Sequence, residues 1–250
     1  SSIFTIYLYT QNIERFKKET KKLESEYISI NKDLIKFQVT NIKKNILLEK
    51  QNQIETLKKE LKSQVNNAYN IAMSLYINNQ DKSKEYVINL IKDALRPIRF
   101  NQKRGYLFIY ETTGLSILHP IKKNLENKNL WKHKDKKGVY LHQEINKILK
   151  KRKDTFYTWY WTKENNKNTE YEKLGYVKLF EPFNWFIGTG EYLVDFEKNL
   201  KDRLSTNISN YRYKKDGYVF IIEYSGNYIS YYNKDFIGRN INDFDITGNT

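Results

Sequence analysis

Residues 104–120 of the chain are RGYLFIYETTGLSILHP. In the first part of this stretch, the residue types alternate in the way that is typical of a β-strand. Alternate side chains are therefore predicted to lie on opposite faces of a sheet. One face is predicted to carry Tyr106, Phe108 and Tyr110, and the other Leu107, Ile109 and Glu111. Residues 112–114, Thr-Thr-Gly, have the composition of a turn, and residues 115–119 predict a second strand that Pro120 ends. The stretch therefore predicts a β-hairpin.

The residues that follow the hairpin predict one helix and three more strands. The helix is predicted at about 139–152, with an apolar face of Leu141, Ile145, Ile148 and Leu149. The strands are predicted at 156–162, 173–181 and 185–191. The order hairpin, crossover helix and three consecutive strands predicts an α+β fold. Its sheet is expected to have five mostly antiparallel strands and one covered face.

The same segments resemble a Cache domain. The resemblance rests on GYLFIYETTGLSILHP at 105–120, a D-x-x-G run at 135–138, FYTWYW at 156–161 and KLGYVKLFEPFNWFIGTGEYLVDFE at 173–197. It implies a PAS-like extracytoplasmic sensor of a bacterial chemoreceptor, histidine kinase or cyclic-dinucleotide enzyme. One departure is visible at residues 127–130, where this chain has Asn-Lys-Asn-Leu and the family has Gly-Lys-Asn-Leu. Because the family's glycine is replaced by asparagine, the sequence does not by itself predict a tight turn there.

The composition limits the possible functions. The 250-residue chain has 44 Lys and Arg residues against 29 Asp and Glu residues, for a formal net charge of +15. Because the lysines are scattered among glutamates, we interpret the charge as a basic surface and expect no nucleic-acid partner. The alternative is a basic coiled-coil interaction protein that binds nucleic acid, which salt-dependent DNA binding would reveal. The chain has no cysteine, which excludes disulfides and thiolate chemistry.

Residues 1–9, SSIFTIYLY, are apolar and aromatic, and charged residues follow them. No stretch of the chain approaches the roughly 18–20 apolar residues that span a bilayer. Two interpretations fit, an ordinary apolar helix start and the outer end of a membrane helix, and the resemblance favours the second. We therefore predict an extracytoplasmic or periplasmic domain of a protein anchored in the inner (cell) membrane at both of its ends.

Residues 10–77 are predicted to form one long helix, because neither glycine nor proline occurs before Pro97. A heptad-like apolar stripe along its first half comprises Ile13, Phe16, Leu23, Tyr27, Ile30, Leu34 and Phe37. The helix either braces its own domain or pairs with a second copy in a parallel homodimer. We favour the homodimer because the stripe would otherwise be left in water. Its seam is predicted to contain Phe16, Leu23, Ile30 and Phe37. A second helix, capped by Asp81 or Ser83, is predicted to end before Pro97.

The opening of the hairpin recurs about 112 residues later. Residues 216–221, DGYVFI, align with residues 104–109, RGYLFI, and Ser225-Gly226 aligns with Thr113-Gly114. Residues 236–240, FIGRN, resemble the family's Ile-Gly-Lys-Asn turn. We therefore predict a tandem arrangement with an incomplete second copy. The predicted divisions are a helical stalk with the second helix (1–100), a membrane-distal, ligand-binding Cache module (101–195), a linker helix (196–215) and a partial membrane-proximal module (216–250).

The sequence contains no recognisable catalytic motif. It lacks a P-loop, a nucleophile elbow and a dinucleotide fingerprint, and its three histidines do not have the spacing of a zinc site. We therefore expect neither an enzyme activity nor a cofactor.

Cationic and aromatic residues of the first module predict an anion site instead. The candidate ligand-binding residues are Arg104, Tyr106, Phe108, His119, Trp131, Tyr157, Trp159, Lys173 and Tyr176. A cation inside aromatic walls favours a small anion, because charge-assisted hydrogen bonds are the strong ones. The resemblance implies the same ligand class, small organic acids such as acetate, propionate or pyruvate. Lys173 and Arg104 are the predicted charge partners, and His119 is the predicted hydrogen-bond donor.

Overall fold

The computed structural model describes residues 2–215 and 217–243, with every side chain in these ranges except that of residue 167. The predicted apolar start at Ser1 and the second-module residues Asp216 and 244–250 lie outside the described residues. Helix α1 spans Ser2–Ile77 and α2 spans Lys84–Leu95. Ser83 caps α2, because its side chain accepts a hydrogen bond from the backbone amide of Tyr86. Within the described ranges, no helix has a segment that is long and apolar enough to cross a membrane.

The hairpin and the three later strands form one antiparallel sheet with a crossover helix. The elements are β1 Phe108–Glu111, β2 Ser116–Leu118, α3 Leu141–Leu149, β3 Asp154–Lys163, β4 Asn166–Phe180 and β5 Trp185–Tyr192. The strand order in the sheet is β2-β1-β5-β4-β3, and each neighbouring pair is antiparallel. The predicted α+β fold with a PAS-like five-stranded sheet is confirmed.

Both faces of this sheet are covered. One face packs against α2 and the C-terminal half of α1, in a core that includes Leu61, Ile91, Ile109, Trp185 and Ile187. The opposite face packs against α3, in a core that includes Phe108, Ile145, Trp159, Val177 and Phe186. The prediction of one covered face was wrong, because the apolar face of α3 packs on the aromatic side of the sheet.

The chain divides into two compact units, residues 52–207 and residues 1–51 with 208–250. The first unit contains the five-stranded sheet, and α4 (Leu193–Ser209) begins directly after β5. The described part of the second unit contains four short strands in two pairs: β6 Arg212–Tyr213 with β7 Gly217–Tyr218, and β8 Ile221–Ile222 with β9 Tyr228–Ser230. Lys214 donates a 2.7 Å hydrogen bond to the side chain of Asn31 on α1, within the same unit.

The β8–β9 hairpin repeats the register of the β1–β2 hairpin. The paired residues in the first copy are Ile109 with Leu118 and Tyr110 with Ser116, and in the second copy Ile221 with Ser230 and Ile222 with Tyr228. Each copy has an irregularity between its two pairs, at positions that differ by the 112 residues of the sequence repeat. The predicted internal repeat therefore has one backbone pattern in both copies.

Candidate functional site

A small cavity lies between the sheet and α3 in the unit formed by residues 52–207. About 20 Å³ is open to the centre of a water molecule, which is room for about one water. The lining residues are mostly aromatic: Tyr106, Phe108, Tyr110, His119, Leu141, His142, Ile145, Trp159, Trp161, Lys173 and Phe186. Among these lining residues, Lys173 is the one whose side chain is charged at neutral pH when its pKa is unshifted.

Lys173 is 1% exposed and lines this cavity from β4. Its Nζ donates a 2.9 Å hydrogen bond to the Tyr106 hydroxyl, and lies 4.3 Å from the Tyr106 ring centre and 4.7 Å from that of Tyr192. Burial lowers the pKa of Lys173, while Tyr192 and Glu191 oppose the shift. No carboxylate of the described residues lies within 4 Å of Nζ. A buried ammonium without a carboxylate partner is costly unless another anion compensates it.

Two glycines make room for the lysine stem and the neighbouring indole. A Cβ at Gly190 on β5 would lie 3.0 Å from Cε of Lys173. A Cβ at Gly175 on β4 would lie 2.3 Å from the Trp159 ring. Side chains at these two positions would therefore displace the groups that form this end of the cavity.

His119, directly after β2, is a neutral hydrogen-bond donor in the cavity wall. Its Nδ1 accepts a 3.0 Å hydrogen bond from the Lys122 amide, so the neutral ring carries its proton on Nε2. Burial, together with the nearby charges of Lys173 and Lys122, lowers the pKa of His119 to about 3. The ring is therefore uncharged at neutral pH and has one N–H to donate.

His142 is a lining residue that the sequence analysis missed. It lies in the first turn of α3, is 2% exposed, and neither ring nitrogen has a hydrogen-bond partner among the described residues. Burial lowers the pKa of His142 to about 4, with His133 adding to the shift. Helical spacing could have found it, because His142 precedes Ile145 by three residues and Leu149 by seven and so shares their inward face.

The structure brings five of the nine predicted site residues together around the cavity: Tyr106, Phe108, His119, Trp159 and Lys173. Tyr157 packs against the same core but does not line the cavity. Three further predicted residues, Arg104, Trp131 and Tyr176, lie elsewhere.

The structure places these three side chains away from the cavity for different reasons. Tyr176 is three residues from Lys173 on β4, so it faces the opposite side of the sheet and packs in the core under α1 and α2. Arg104 pairs with Glu191 at 3.4 Å, in a groove whose other walls come from α1 and α4. Trp131 follows Leu130, which packs towards the cavity-side core, and its own side chain lines a separate surface groove.

Comparison with known proteins identifies the family. The family model dCache_2, described as a Cache domain, matches residues 12–250. A solved structure of a methyl-accepting chemotaxis protein from Vibrio parahaemolyticus is 30% identical, with a TM-score of 0.52 over 60% of this chain and 98% of that one. A Cache chemosensory domain whose structure explains carboxylic acid recognition is 21% identical, with a TM-score of 0.53 over 57% of this chain and 97% of that one.

A curated relative is the methyl-accepting chemotaxis protein McpP of Pseudomonas putida, which is 24% identical over 124 residues. That match covers 48% of this chain, and it spans 22% of the length of McpP. The family model, in contrast, covers nearly the whole chain. This chain therefore belongs to the Cache domain family and is a sensor domain similar to those of chemotaxis proteins.

Proposed function

We propose that this chain is the extracytoplasmic ligand-binding domain of a membrane-anchored receptor and binds a small monocarboxylate in the cavity at Lys173. The buried Lys173 ammonium carries the proposal, because it faces the cavity and has no carboxylate within 4 Å among the described residues. Residues 101–195 are the proposed membrane-distal binding module. The similar Cache chemosensory domain that recognises carboxylic acids supports the same ligand class.

Three donors are available to a carboxylate at this end of the cavity: Lys173 Nζ, the Tyr106 hydroxyl and the Nε2–H of His119. Hydrogen bonds to an ionised acceptor are roughly twice as strong as neutral ones, and aromatic walls exclude competing water. One buried cation balances one negative charge. The site therefore favours a monoanion.

The size of the cavity favours a short acid. Because the space holds about one water molecule, even a small acid requires its walls to move outward. Trp161 is the wall residue nearest to solvent, since it also lines an outer groove with Leu125, His133 and Glu170. We propose that the ligand enters beside the Trp161 ring.

Calorimetric titration of acetate, propionate and pyruvate into the wild type and Lys173→Met tests the site. We expect binding to weaken at least about tenfold, because a hydrogen bond to a charged group contributes about 1.5–3 kcal/mol. Without ligand, the melting temperature of Lys173→Met should be unchanged or higher, because methionine fills the stem volume and removes a buried charge. Unchanged affinity would remove Lys173 from the site, and failure of every acid to bind would overturn the proposed function.

Lys178→Met is the matched control for this variant. Lys178 lies five residues further along β4 on the opposite face, where its Nζ donates a 2.9 Å hydrogen bond to Asn66. We expect its acid affinities to stay within about twofold of the wild type, since the residue does not line the cavity.

We also propose that the first half of α1 pairs with a second copy of the chain. Four large apolar side chains recur every seven residues and are 60–70% exposed: Phe16, Leu23, Ile30 and Phe37. A seven-residue repeat keeps them on one side of two supercoiled helices. The same stripe on a second chain matches that spacing.

Single-cysteine variants test this pairing, because the chain has no native cysteine. Ile30→Cys should form a disulfide-linked dimer as protein concentration rises. Lys32→Cys is the control, since position 32 is also exposed but lies about 200° around the helix from position 30. Cross-linking through position 32 and not through position 30 would contradict the proposed seam.

A further inference from the structure

The cavity has polar groups at two separated places. Lys173, Tyr106 and His119 form one end. His142 and Tyr110 form the other, with their ring centres 4.5 Å apart. Tyr106 lies two residues before β1 and Tyr110 lies within it, so their backbones are at most roughly 13 Å apart, the span of four extended residues. A ligand that lies along β1 therefore meets the lysine at one end and the second histidine towards the other.

Apolar rings fill the interval between these ends. Phe108 lies on the same face of β1, with its ring centre 6.1 Å from that of Trp159 and 5.7 Å from that of Tyr110. Ile145 of α3 and Phe186 of β5 complete this part of the lining. The wall is therefore polar at both ends and apolar between them.

His142 lacks an intramolecular partner at either nitrogen among the described residues, although it is 2% exposed. Buried polar groups are nearly always hydrogen-bonded, and an unsatisfied one is destabilising. The rings packed on His142 are those of Tyr110 and Phe186, with centre distances of 4.5 Å and 6.1 Å. A neutral imidazole has one donor and one acceptor, which complements a hydroxyl or a carbonyl group.

We propose that His142 is a specificity-determining residue of the carboxylate site and hydrogen-bonds an uncharged hydroxyl or oxo group on a short-chain monocarboxylate. The inference rests on the proposed function, because Lys173 holds the carboxylate at the other end. A second carboxylate is disfavoured near His142, since no lysine or arginine of the described residues lines that end of the cavity and burial keeps the imidazole neutral. The ligand class is therefore hydroxy- or oxo-substituted monocarboxylates, in preference to plain alkyl acids and dicarboxylates.

Calorimetry with pairs of acids that differ by hydroxyl against methyl tests this assignment on the 250-residue chain. The pairs are 4-hydroxybutanoate with pentanoate and 3-hydroxybutanoate with 3-methylbutanoate. In the wild type, the hydroxy acid of at least one pair should bind about fivefold tighter, and succinate should bind more weakly than 4-hydroxybutanoate. His142→Phe should lower the hydroxyl preference about tenfold, because the hydroxyl is then buried without a partner, and change pentanoate affinity less than about threefold.

Two further variants separate recognition from packing. His142→Gln keeps a donor and an acceptor, so it should restore part of the hydroxyl preference. Tyr176→Phe is the control, because its hydroxyl also lacks a hydrogen-bond partner among the described residues but its side chain faces the opposite side of the sheet and does not line this cavity. The hydroxyl preference of Tyr176→Phe should equal that of the wild type.

Three results would overturn the inference. An unchanged hydroxyl preference in His142→Phe would show that His142 binds a water only, and equal affinities within both pairs in the wild type would remove the preference itself. In either case, Lys173-dependent binding of plain acids would leave the proposed function intact. Failure of every acid to bind would overturn the proposed function and this assignment together.

Discussion

Phe108 at the start of β1 and Phe220 directly before β8 occupy equivalent positions of one repeat, yet Phe108 is 5% exposed and Phe220 is 49% exposed. The turn backbones match. The Gly114 amide donates to the Glu111 carbonyl at 2.9 Å, and the equivalent bond of the second copy, from Gly226 to Glu223, is 2.8 Å. The environments differ, because β1 also pairs with β5 whereas β8 pairs with β9 alone among the described strands.

The difference in burial between the two hairpins shows which features depend on neighbouring residues and which depend on distant ones. The two turn glycines have φ values of 91° and 92°, a conformation that side chains other than glycine's rarely adopt, so the turn follows from a few neighbouring residues. Burial of the aromatic face depends on strands and a helix that follow the first hairpin by tens of residues. The cavity therefore belongs to the complete five-stranded sheet and not to the hairpin.

The largest expected effect comes from matched truncations in the two copies. Ile109→Ala should lower the free energy of unfolding by about 2–5 kcal/mol, because Ile109 is fully buried in the core under α1 and α2. Ile221→Ala, at the equivalent and half-buried position, should leave this transition within about 0.5 kcal/mol of the wild type. Tryptophan fluorescence during denaturation is the measurement, because all four tryptophans lie within residues 52–207. Equal losses would contradict the difference in packing between the copies.

A second pair compares the turn glycines. An alanine at position 114 would have to adopt a left-handed backbone conformation, and its Cβ would lie 2.7 Å from the Trp131 backbone nitrogen. Gly114→Ala should therefore destabilise the first unit by about 2 kcal/mol or more. At Gly226 the nearest atom is the side-chain Oδ1 of Asn240, at 2.9 Å, and a side chain gives way more readily than backbone. Gly226→Ala should therefore destabilise its unit less than Gly114→Ala destabilises the first, by about 1 kcal/mol when followed by circular dichroism. A larger loss for Gly226→Ala would show that Asn240 cannot move.

A partly buried carboxylate, that of Glu126, links the first copy to the C-terminal end of α2. Glu126 accepts hydrogen bonds from both terminal nitrogens of Arg96, at 2.7 and 2.9 Å, and from the His119 amide at 3.0 Å. Burial opposes ionisation of Glu126, but the Arg96 and His119 hydrogen bonds outweigh it and lower its pKa. The turn amides of the two copies match with Asn127 equivalent to Gly238, so Ile237 occupies the position of Glu126, and an isoleucine cannot form this link.

Glu126→Gln should therefore lower the stability of the first unit by about 1–2 kcal/mol at pH 7. Because the folded pKa of Glu126 lies below its unfolded value, its contribution is present above the unfolded pKa, about 4.3, and is lost as pH falls through the folded pKa. Denaturant titrations from pH 7 to pH 3 should show the stability gap between the two proteins narrowing as pH falls below the unfolded pKa. A gap of constant size down to pH 3 would show that Glu126 stabilises the turn independently of its charge.

The turn at residues 127–130, where asparagine replaces the family's glycine, should show the smallest effect. Asn127 has a φ of 65°, where the second copy has Gly238 at 86°, and asparagine tolerates this region better than most residues. Asn127→Gly and Gly238→Asn should each change stability by less than about 0.5 kcal/mol, whereas Asn127→Ala should cost about 1 kcal/mol. Chemical denaturation measures all three, and a large loss for Asn127→Gly would reveal a structural role of the Asn127 side chain.

The sequence by itself predicted the features that depend on near neighbours. Alternating side chains predicted the strands, the absence of glycine and proline predicted α1, and the repeated turn glycines predicted the second hairpin. Alternation also separates Lys173 from Tyr176, because residues three apart on a strand face opposite sides. That rule, applied strictly, would have excluded Tyr176 from the candidate site.

The features that depend on residues far apart in the chain follow from packing and not from local patterns. Arg104 donates a hydrogen bond to Glu191, which lies 87 residues later in the chain. Lys173 donates a hydrogen bond to the hydroxyl of Tyr106, which lies 67 residues earlier. Periodicity determines which way a side chain points from its own element, but packing of several elements determines what covers that face. For this reason three features became visible only in the folded chain: the covered second face, and, among the described residues, the absence of a carboxylate beside Lys173 and of hydrogen-bond partners for the nitrogens of His142.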